Sequence, residues 1–381
     1  MKKGFLEKVE KMFLPWLPSL VLLFSVIFVV SCQMTVEGVG VLDGDIAVPV
    51  LLDFQTLSEN EIRLSFSEEV SLSDILIFQN FGTVIETNSI YVSGGKQEEQ
   101  TSFTTNNNYD LKLTLKENGL LLAGESYVLS GTASDTNGNS LSFQIPFQGY
   151  NGRVPELVLS EIRTGYSKPK VEFIELYALT EGNLAGVTLY TANDDKFGEF
   201  TFPQAEVKAG EYIVVHFRTL EDEVEKCINE VTEELNVATA TEACDTARDF
   251  WLPQTKARIG GKTDVVLLRE RSGGRVLDAV IYAESSLELW KNDAFKKAIN
   301  VAVEHGAWHG GTLPQDVICG DGLTTVNRTV SRQNIDVINS TLEAGLPLPK
   351  NDTSCWIVTT TSSKVSGATP GYKNSSAEYT P

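Results

Sequence analysis

The sequence predicts an all-β protein of two β-sandwich domains in tandem, the second carrying two partly helical insertions. Three observations predict it. Segments in which apolar and polar residues alternate recur along the chain, and a period of two marks half-buried strands. Turns rich in Gly, Asn and Asp separate them at short intervals. An amino-terminal leader is followed by about 350 residues, a length that suits two domains.

The leader comes first. Lys2, Lys3, Lys8 and Lys11 make a basic opening, and an apolar stretch, LPSLVLLFSVIFVV, runs from Leu17 to Val30. Ser31-Cys32 ends it and the polar Gln33 follows. A basic segment, an apolar segment and a small residue at the cut describe an export signal. Val29-Val30-Ser31-Cys32 resembles the bacterial lipobox, which implies cleavage before Cys32 and lipidation of its thiol. The alternatives are an uncleaved transmembrane anchor or an ordinary secretory signal. The apolar run is shorter than the roughly 20 residues a spanning helix needs, and Pro15 and Pro18 interrupt its start. The expected division is a signal over 1–31, a lipidated Cys32 with a short tether over 32–35, and a location in the bacterial cell envelope. Gln33 favours the outer membrane or cell surface over the inner membrane.

The chain has 31 basic and 51 acidic residues and a net charge of −20. The leader carries four Lys and two Glu, so its removal leaves −22. Such a surface repels nucleic-acid backbones, whose binding rests on neutralisation by Lys and Arg. Of five cysteines, lipid on Cys32 leaves Cys227, Cys244, Cys319 and Cys355. Export places them where disulfides persist. Cys227–Cys244 and Cys319–Cys355 are the preferred pairs, because each brackets one irregular stretch; four cysteines allow three connectivities. The N-x-S/T triplets at Asn327, Asn339, Asn351 and Asn374 fall in a Ser/Thr/Asn-rich tail and are read as chance.

The first domain is expected over 36–150. Ile62, Leu64 and Phe66 alternate in one strand, Leu111, Leu113 and Leu115 in another, and Phe143, Ile145 and Phe147 in a last one. SENEIRLSFSEEV (Ser58 to Val70) and YVLSGTASDTNGNSL (Tyr127 to Leu141) resemble the opening and closing strands of bacterial Ig-like domains of the SbsA type. The resemblance implies an Ig-like spacer or binding module. Asp135, Asn137 and Asn139 read as a turn, because the Gly and Glu positions of a calcium loop are not met.

The second domain is expected over 154–375, with a tail over 376–381. Its strands include Leu157 to Ile162, Val171 to Tyr177, Tyr212 to Phe217, Val265 to Leu268 and Val276 to Tyr282. A series of short matches in one order resembles the lamin-tail domain. They are Ser160-Glu161-Ile162, Phe173 to Leu176, Leu184 to Leu189, Phe202-Pro203, Ala209 to Val215, Gly260 to Leu267 and Gly274 to Tyr282. Ser331 and Gln333 flanking Arg332, Trp356, and Thr369-Pro370-Gly371-Tyr372-Lys373-Asn374 complete them. Val187 stands where the family often has Trp, and Ala178 where it often has Asn. The resemblance implies an Ig-like sandwich with no catalytic residues of its own.

Two insertions interrupt this domain. Residues 219–256 hold a Glu-rich run, Glu221 to Glu234, read as an exposed acidic helix. Residues 285–326 hold a second helix: Ser285 and Glu288 have capping-box spacing, and Leu287, Trp290, Ala294, Ala298 and Val301 recur at helical intervals. Glu304, His305 and His309 form a weak metal candidate, since Gly306, Gly310 and Gly311 end the helix and no third ligand is evident. Gly260-Gly261-Lys262-Thr263 lacks the upstream Gly of a phosphate loop and reads as a turn.

These readings lead to an expected non-catalytic, membrane-anchored envelope protein with no cofactor, which binds an unknown protein or glycan or serves as a scaffold. The alternatives are a metal-dependent hydrolase with its site in the second insertion and, by analogy to lamin tails, a nucleic-acid-binding protein.

Overall fold

The structure is a computed structural model that describes residues 47–79, 83–85, 90–96, 109–115, 121–194, 196, 198–253, 255–256, 259–361 and 367–380. The leader, Cys32 and the tether lie outside the described residues. Eight strands come first: β1 (Leu51–Ser58), β2 (Glu61–Phe66), β3 (Ser71–Gln79), β4 (Thr83–Ile85), β5 (Ile90–Lys96), β6 (Tyr109–Leu115), β7 (Ser126–Ser134) and β8 (Ser140–Gln148). They form two four-stranded sheets, β1-β2-β6-β5 and β4-β3-β7-β8. Ile62, Leu64, Phe66 and Leu113 from one sheet meet Ile77, Tyr127, Leu129 and Phe143 from the other in a single core. The alternation visible in the sequence is the alternation of this packing: along β7 every second residue is buried.

Thirteen strands follow: β9 (Leu157–Arg163), β10 (Phe173–Ala178), β11 (Gly182–Asn183), β12 (Thr188–Thr191), β13 (Glu199–Thr201), β14 (Glu206–Val207) and β15 (Tyr212–His216). The others are β16 (Ala247–Trp251), β17 (Asp264–Arg269), β18 (Val276–Ala283), β19 (Ile318–Cys319), β20 (Val330–Arg332) and β21 (Trp356–Val358). A six-stranded sheet, β16-β15-β10-β9-β20-β21, and a five-stranded sheet, β13-β12-β17-β18-β19, close over a second and larger core. The protein is therefore all-β, with two α-helices among the described residues, α1 (Asp293–Glu304) and α2 (Ile335–Glu343).

Two sequence expectations are corrected here. The Glu-rich run forms no α-helix; it is turns with one short 3-10 segment, Val224–Lys226, and leads into β16, which pairs in parallel with β15. Glu230, expected on an exposed helix, is buried. The second helix starts at Asn292 and not at Ser285. Ser285 is turned toward Asp321, whose carboxylate accepts both its N–H and its hydroxyl, so it cannot cap. The Asn292 side chain accepts from the Phe295 N–H (3.1 Å), and Phe295, Ala298, Ile299 and Ala302 face the core. Leu287 and Trp290 pack on that core from the turn before the helix. The tail is held to the larger core: Tyr379 N–H donates to Val358 O (2.8 Å), and Arg328 lies 3.9 Å over the Tyr379 ring.

Replacing Asn292 with Ala removes one of the donors' few partners at the helix start and is expected to lower stability by about 1 kcal/mol. A urea denaturation midpoint measured for both proteins checks this. An unchanged midpoint would mean that the cap contributes nothing.

Candidate functional site

The face of the six-stranded sheet that points away from the apolar core is polar, yet it is buried. Strand register sets it out. Asp249, Val214, Glu175, Glu161 and Ser331 lie side by side across β16, β15, β10, β9 and β20. A second row, Trp251, His216, Phe173 and Arg163, runs alongside. Glu161, Glu175, Asp249 and Ser331 are fully inaccessible to solvent. Buried carboxylates are costly unless they are hydrogen-bonded, and each of these is supplied with donors by a distant part of the chain.

The C-terminal segment supplies the first set. Thr369 N–H donates to Glu161 (2.9 Å) and Gly371 N–H to Glu175 (2.6 Å). Thr329 and Ser331 hydroxyls donate to Glu161 at 2.6 and 3.1 Å, and the Ser160 hydroxyl to Glu175 at 2.7 Å. Asn374 closes the strap by donating to the carbonyls of Ser160 and Arg332, both at 2.9 Å. Gly371 has φ +77°, and a Cβ there would sit 2.3 Å from Cys244 Sγ, so only glycine fits. Burial raises the Glu161 carboxyl above the usual range. Burial and the neighbouring Glu161 raise Glu175 much further.

The first insertion supplies acceptors in its turn. Glu230 accepts from Asp249 N–H (2.9 Å), Val237 N–H (2.9 Å) and Ala238 N–H (3.0 Å). Asn229 accepts from Trp251 N–H (2.7 Å). Together they satisfy the outer edge of β16, which would otherwise present unpaired strand N–H groups. Asp249 holds His216 Nε2 at 2.7 Å and accepts Cys244 N–H at 2.6 Å, and the His216 ring stacks on Trp251 at 3.8 Å. Burial raises Glu230.

A third group lies between the two sheets of the larger core. Asp278 pairs with Arg332 (2.5 Å) and accepts Leu159 N–H (2.8 Å) and Asn351 Nδ2–H (2.9 Å). Arg332 also donates to Leu159 O and stacks 4.5 Å over Trp356. At the other end of the β17–β18 pair, Asp264 accepts Gly260 N–H (2.7 Å) and Asn193 N–H (2.9 Å), and Tyr282 donates to Gly260 O (2.7 Å). Burial lifts the Asp264 carboxyl to about 7. Gly260-Gly261-Lys262-Thr263 is thus the turn that leads into β17.

The other predicted site residues do not converge. His305 caps the end of α1 and its Nδ1 accepts Val276 N–H (3.0 Å), whereas His309 is engaged through its backbone N–H with Asn351 O (2.7 Å). Among the described residues no three His, Cys, Asp or Glu side chains group as a metal site. Cys227, Cys244, Cys319 and Cys355 are free thiols, so neither expected disulfide is formed. Bracketing a loop in sequence did not bring the sulfurs together: Cys244 packs under the strap, its Sγ 3.1 Å from Pro370 O, while Cys355 is buried beside Asn334 and Cys319 is exposed.

An open cleft of about 860 Å³ lies where the first pair of sheets meets the second. It is lined by β1, the end of β8, residues 149–152 and the turn between β17 and β18.

Fold and site together define an all-β protein whose polar motif residues are spent on an internal clasp and which has a sizeable cleft between its two pairs of sheets. The chain belongs to the TP_1001_2nd family, described as a protein second domain, which it matches over residues 155–358. It is 31% identical over 193 residues to an uncharacterized protein of Treponema pallidum (strain Nichols). That match covers 49% of this chain and 48% of the relative, so the chain spans about half the length of the curated relative it matches. Among solved structures, a DUF4785 family protein from Legionella pneumophila aligns with 16% identity and a TM-score of 0.20, over 47% of this chain and 51% of that one.

Proposed function

We propose that the protein is a non-catalytic binding or scaffold module of the bacterial cell envelope, held to a membrane by lipid on Cys32. On this reading the first pair of sheets is an Ig-like spacer and the larger core a lamin-tail-like sandwich. The observation that carries the non-catalytic part is how the motif residues are used. Glu161, Glu175, Asp278, Arg332 and Asn374, which carry the lamin-tail resemblance, are all bonded to backbone or to one another in fastening the fold. The anchor rests on the leader's chemistry. A single acyl chain binds membranes marginally, and two or more bind stably, because each buried methylene contributes about 0.8 kcal/mol. No helix among the described residues is long and apolar enough to cross a membrane.

Mass spectrometry of the protein from membranes is expected to show a chain starting at Cys32 with added acyl mass. Cys32→Ser is expected to leave the precursor uncut and without lipid. A peptide that runs unmodified through Cys32 into the preceding residues would sink the anchored reading. Protease treatment of whole cells then reports whether the anchored chain faces outward.

A further inference from the structure

We propose that the cleft between the two pairs of sheets is a binding site for an uncharged saccharide chain; this deepens the reading of the protein as a binding module and rests on it. The cleft's volume, about 860 Å³, lies within the range of small-ligand sites, which favour domain junctions.

Its walls are fixed by hydrogen bonds on both sides of the connecting segment. Gly149 N–H donates to Glu125 O (2.9 Å) and Tyr150 N–H to Leu121 O (3.0 Å), which ties the segment to the first pair of sheets. The Asn151 side chain then donates to Asn183 O (2.7 Å) and Ala185 O (2.9 Å), and Asn183 N–H to Arg153 O (2.7 Å), which ties it to the second. A cleft with fastened walls binds without first paying to order itself.

The lining chooses the chemistry. Phe54, Phe147 and Tyr150 supply aromatic surface, with Phe54 and Phe147 in a tilted pair 5.1 Å apart. The charged groups of the lining are already neutralised: Asp53 is paired with Arg63 (3.0 Å), and Glu270 with Arg271 (3.0 Å) and Arg275 (3.5 Å). A charged ligand must therefore compete with these ion pairs. The Gln148 amide and the Arg271 guanidinium present planar polar groups that suit neighbouring hydroxyls. A neutral ligand with apolar C–H faces and many hydroxyls meets all three conditions, and a sugar ring has both features. Ser272, on the turn between β17 and β18, sits at the wall and offers a place to block the site.

The test titrates the full mature chain in detergent micelles with chitotetraose, maltotetraose and mannotetraose by calorimetry. Saturable binding of at least one is expected. Tyr150→Ala is expected to weaken it about tenfold, a change of about 1.4 kcal/mol, and Ser272→Trp to abolish it. Thermal unfolding of both variants shows whether they remain folded, and because they alter different walls the inference does not hang on one of them. Three outcomes overturn it: no saturable binding of any of the three sugars, binding that folded Tyr150→Ala and Ser272→Trp leave unchanged, or binding of a neutral tetrapeptide but of no sugar. If the cleft fails while Cys32 still carries lipid, the anchored reading stands.

Discussion

Arg332→Ala is expected to lower the stability of the larger core by about 3–5 kcal/mol, the usual cost of stranding one partner of a buried ion pair. Arg332 and Asp278 are both almost wholly buried. Removing the guanidinium leaves Asp278 with neutral donors alone, the Leu159, Ala279 and Asn351 N–H groups. It also frees Leu159 O and strips the face of Trp356. Burial already pushes the Asp278 carboxyl upward and Arg332 holds it back, so without Arg332 it takes up a proton more readily. The loss should therefore be greatest at neutral and higher pH and shrink in mild acid. Arg332→Lys is expected to fall between, because an ammonium cannot donate to Asp278 and Leu159 O with the same fork. Asp278→Asn combined with Arg332→Ala should recover part of the loss. Urea denaturation at pH 5 and pH 8 measures all of these. A loss under about 1 kcal/mol at pH 8 would show that the pair contributes no more than an exposed one.

The second large effect is a fall in stability as pH rises through the weakly acidic range. Glu175 and Asp264 both have folded-state pKa values above those of the unfolded chain, Asp264 at about 7. Each keeps its proton longer in the folded protein, so folding takes up protons once pH exceeds the unfolded carboxyl value of about 4. Their contribution is complete below that pH. For Asp264 it is lost as pH climbs to about 7, and for Glu175 as pH climbs through its own raised value. The slope is up to about 1.4 kcal/mol per pH unit for each proton. Glu175→Gln is expected to flatten the profile and to raise stability above pH 7. It removes the like-charge repulsion with Glu161, while the amide oxygen can still accept from Gly371 N–H and the amide N–H can donate to the Ser160 hydroxyl. Thermal unfolding from pH 4 to 8 checks this; a variant profile parallel to that of the parent would show that Glu175 does not take up the proton.

The strands were the most legible part of the sequence. Where one face of a strand packs and the other meets water, as in β2 and β7, alternation shows it directly. β16 was hidden because Ala-Arg-Asp-Phe-Trp is buried on both faces and carries two charges, which the Glu-rich run before it seemed to continue. The residues of the buried clasp were visible as motif letters, but their purpose was not. Glu161 meets Thr369 across 208 positions and Glu175 meets Gly371 across 196, and periodicity speaks only of near neighbours. The start of α1 was misplaced because Ser285 and Glu288 have the spacing of a cap, while Ser285 answers to Asp321, 36 residues later. The cleft had no signal at all, since its walls come from segments that the sequence keeps far apart.

The strap also bears on how the chain acquires its shape. A polypeptide is made from its amino end. β9 and β10 emerge some two hundred residues ahead of the donors that make their carboxylates tolerable indoors. Until the strap arrives, Glu161 and Glu175 are better served by water, and the sheet that holds them has reason to stay open. Contacts this remote in sequence are slow to form, whereas the first pair of sheets closes on partners within its own hundred residues. The early part can then be complete while the later part is still being made, and the lock is set only when the strap has been synthesised.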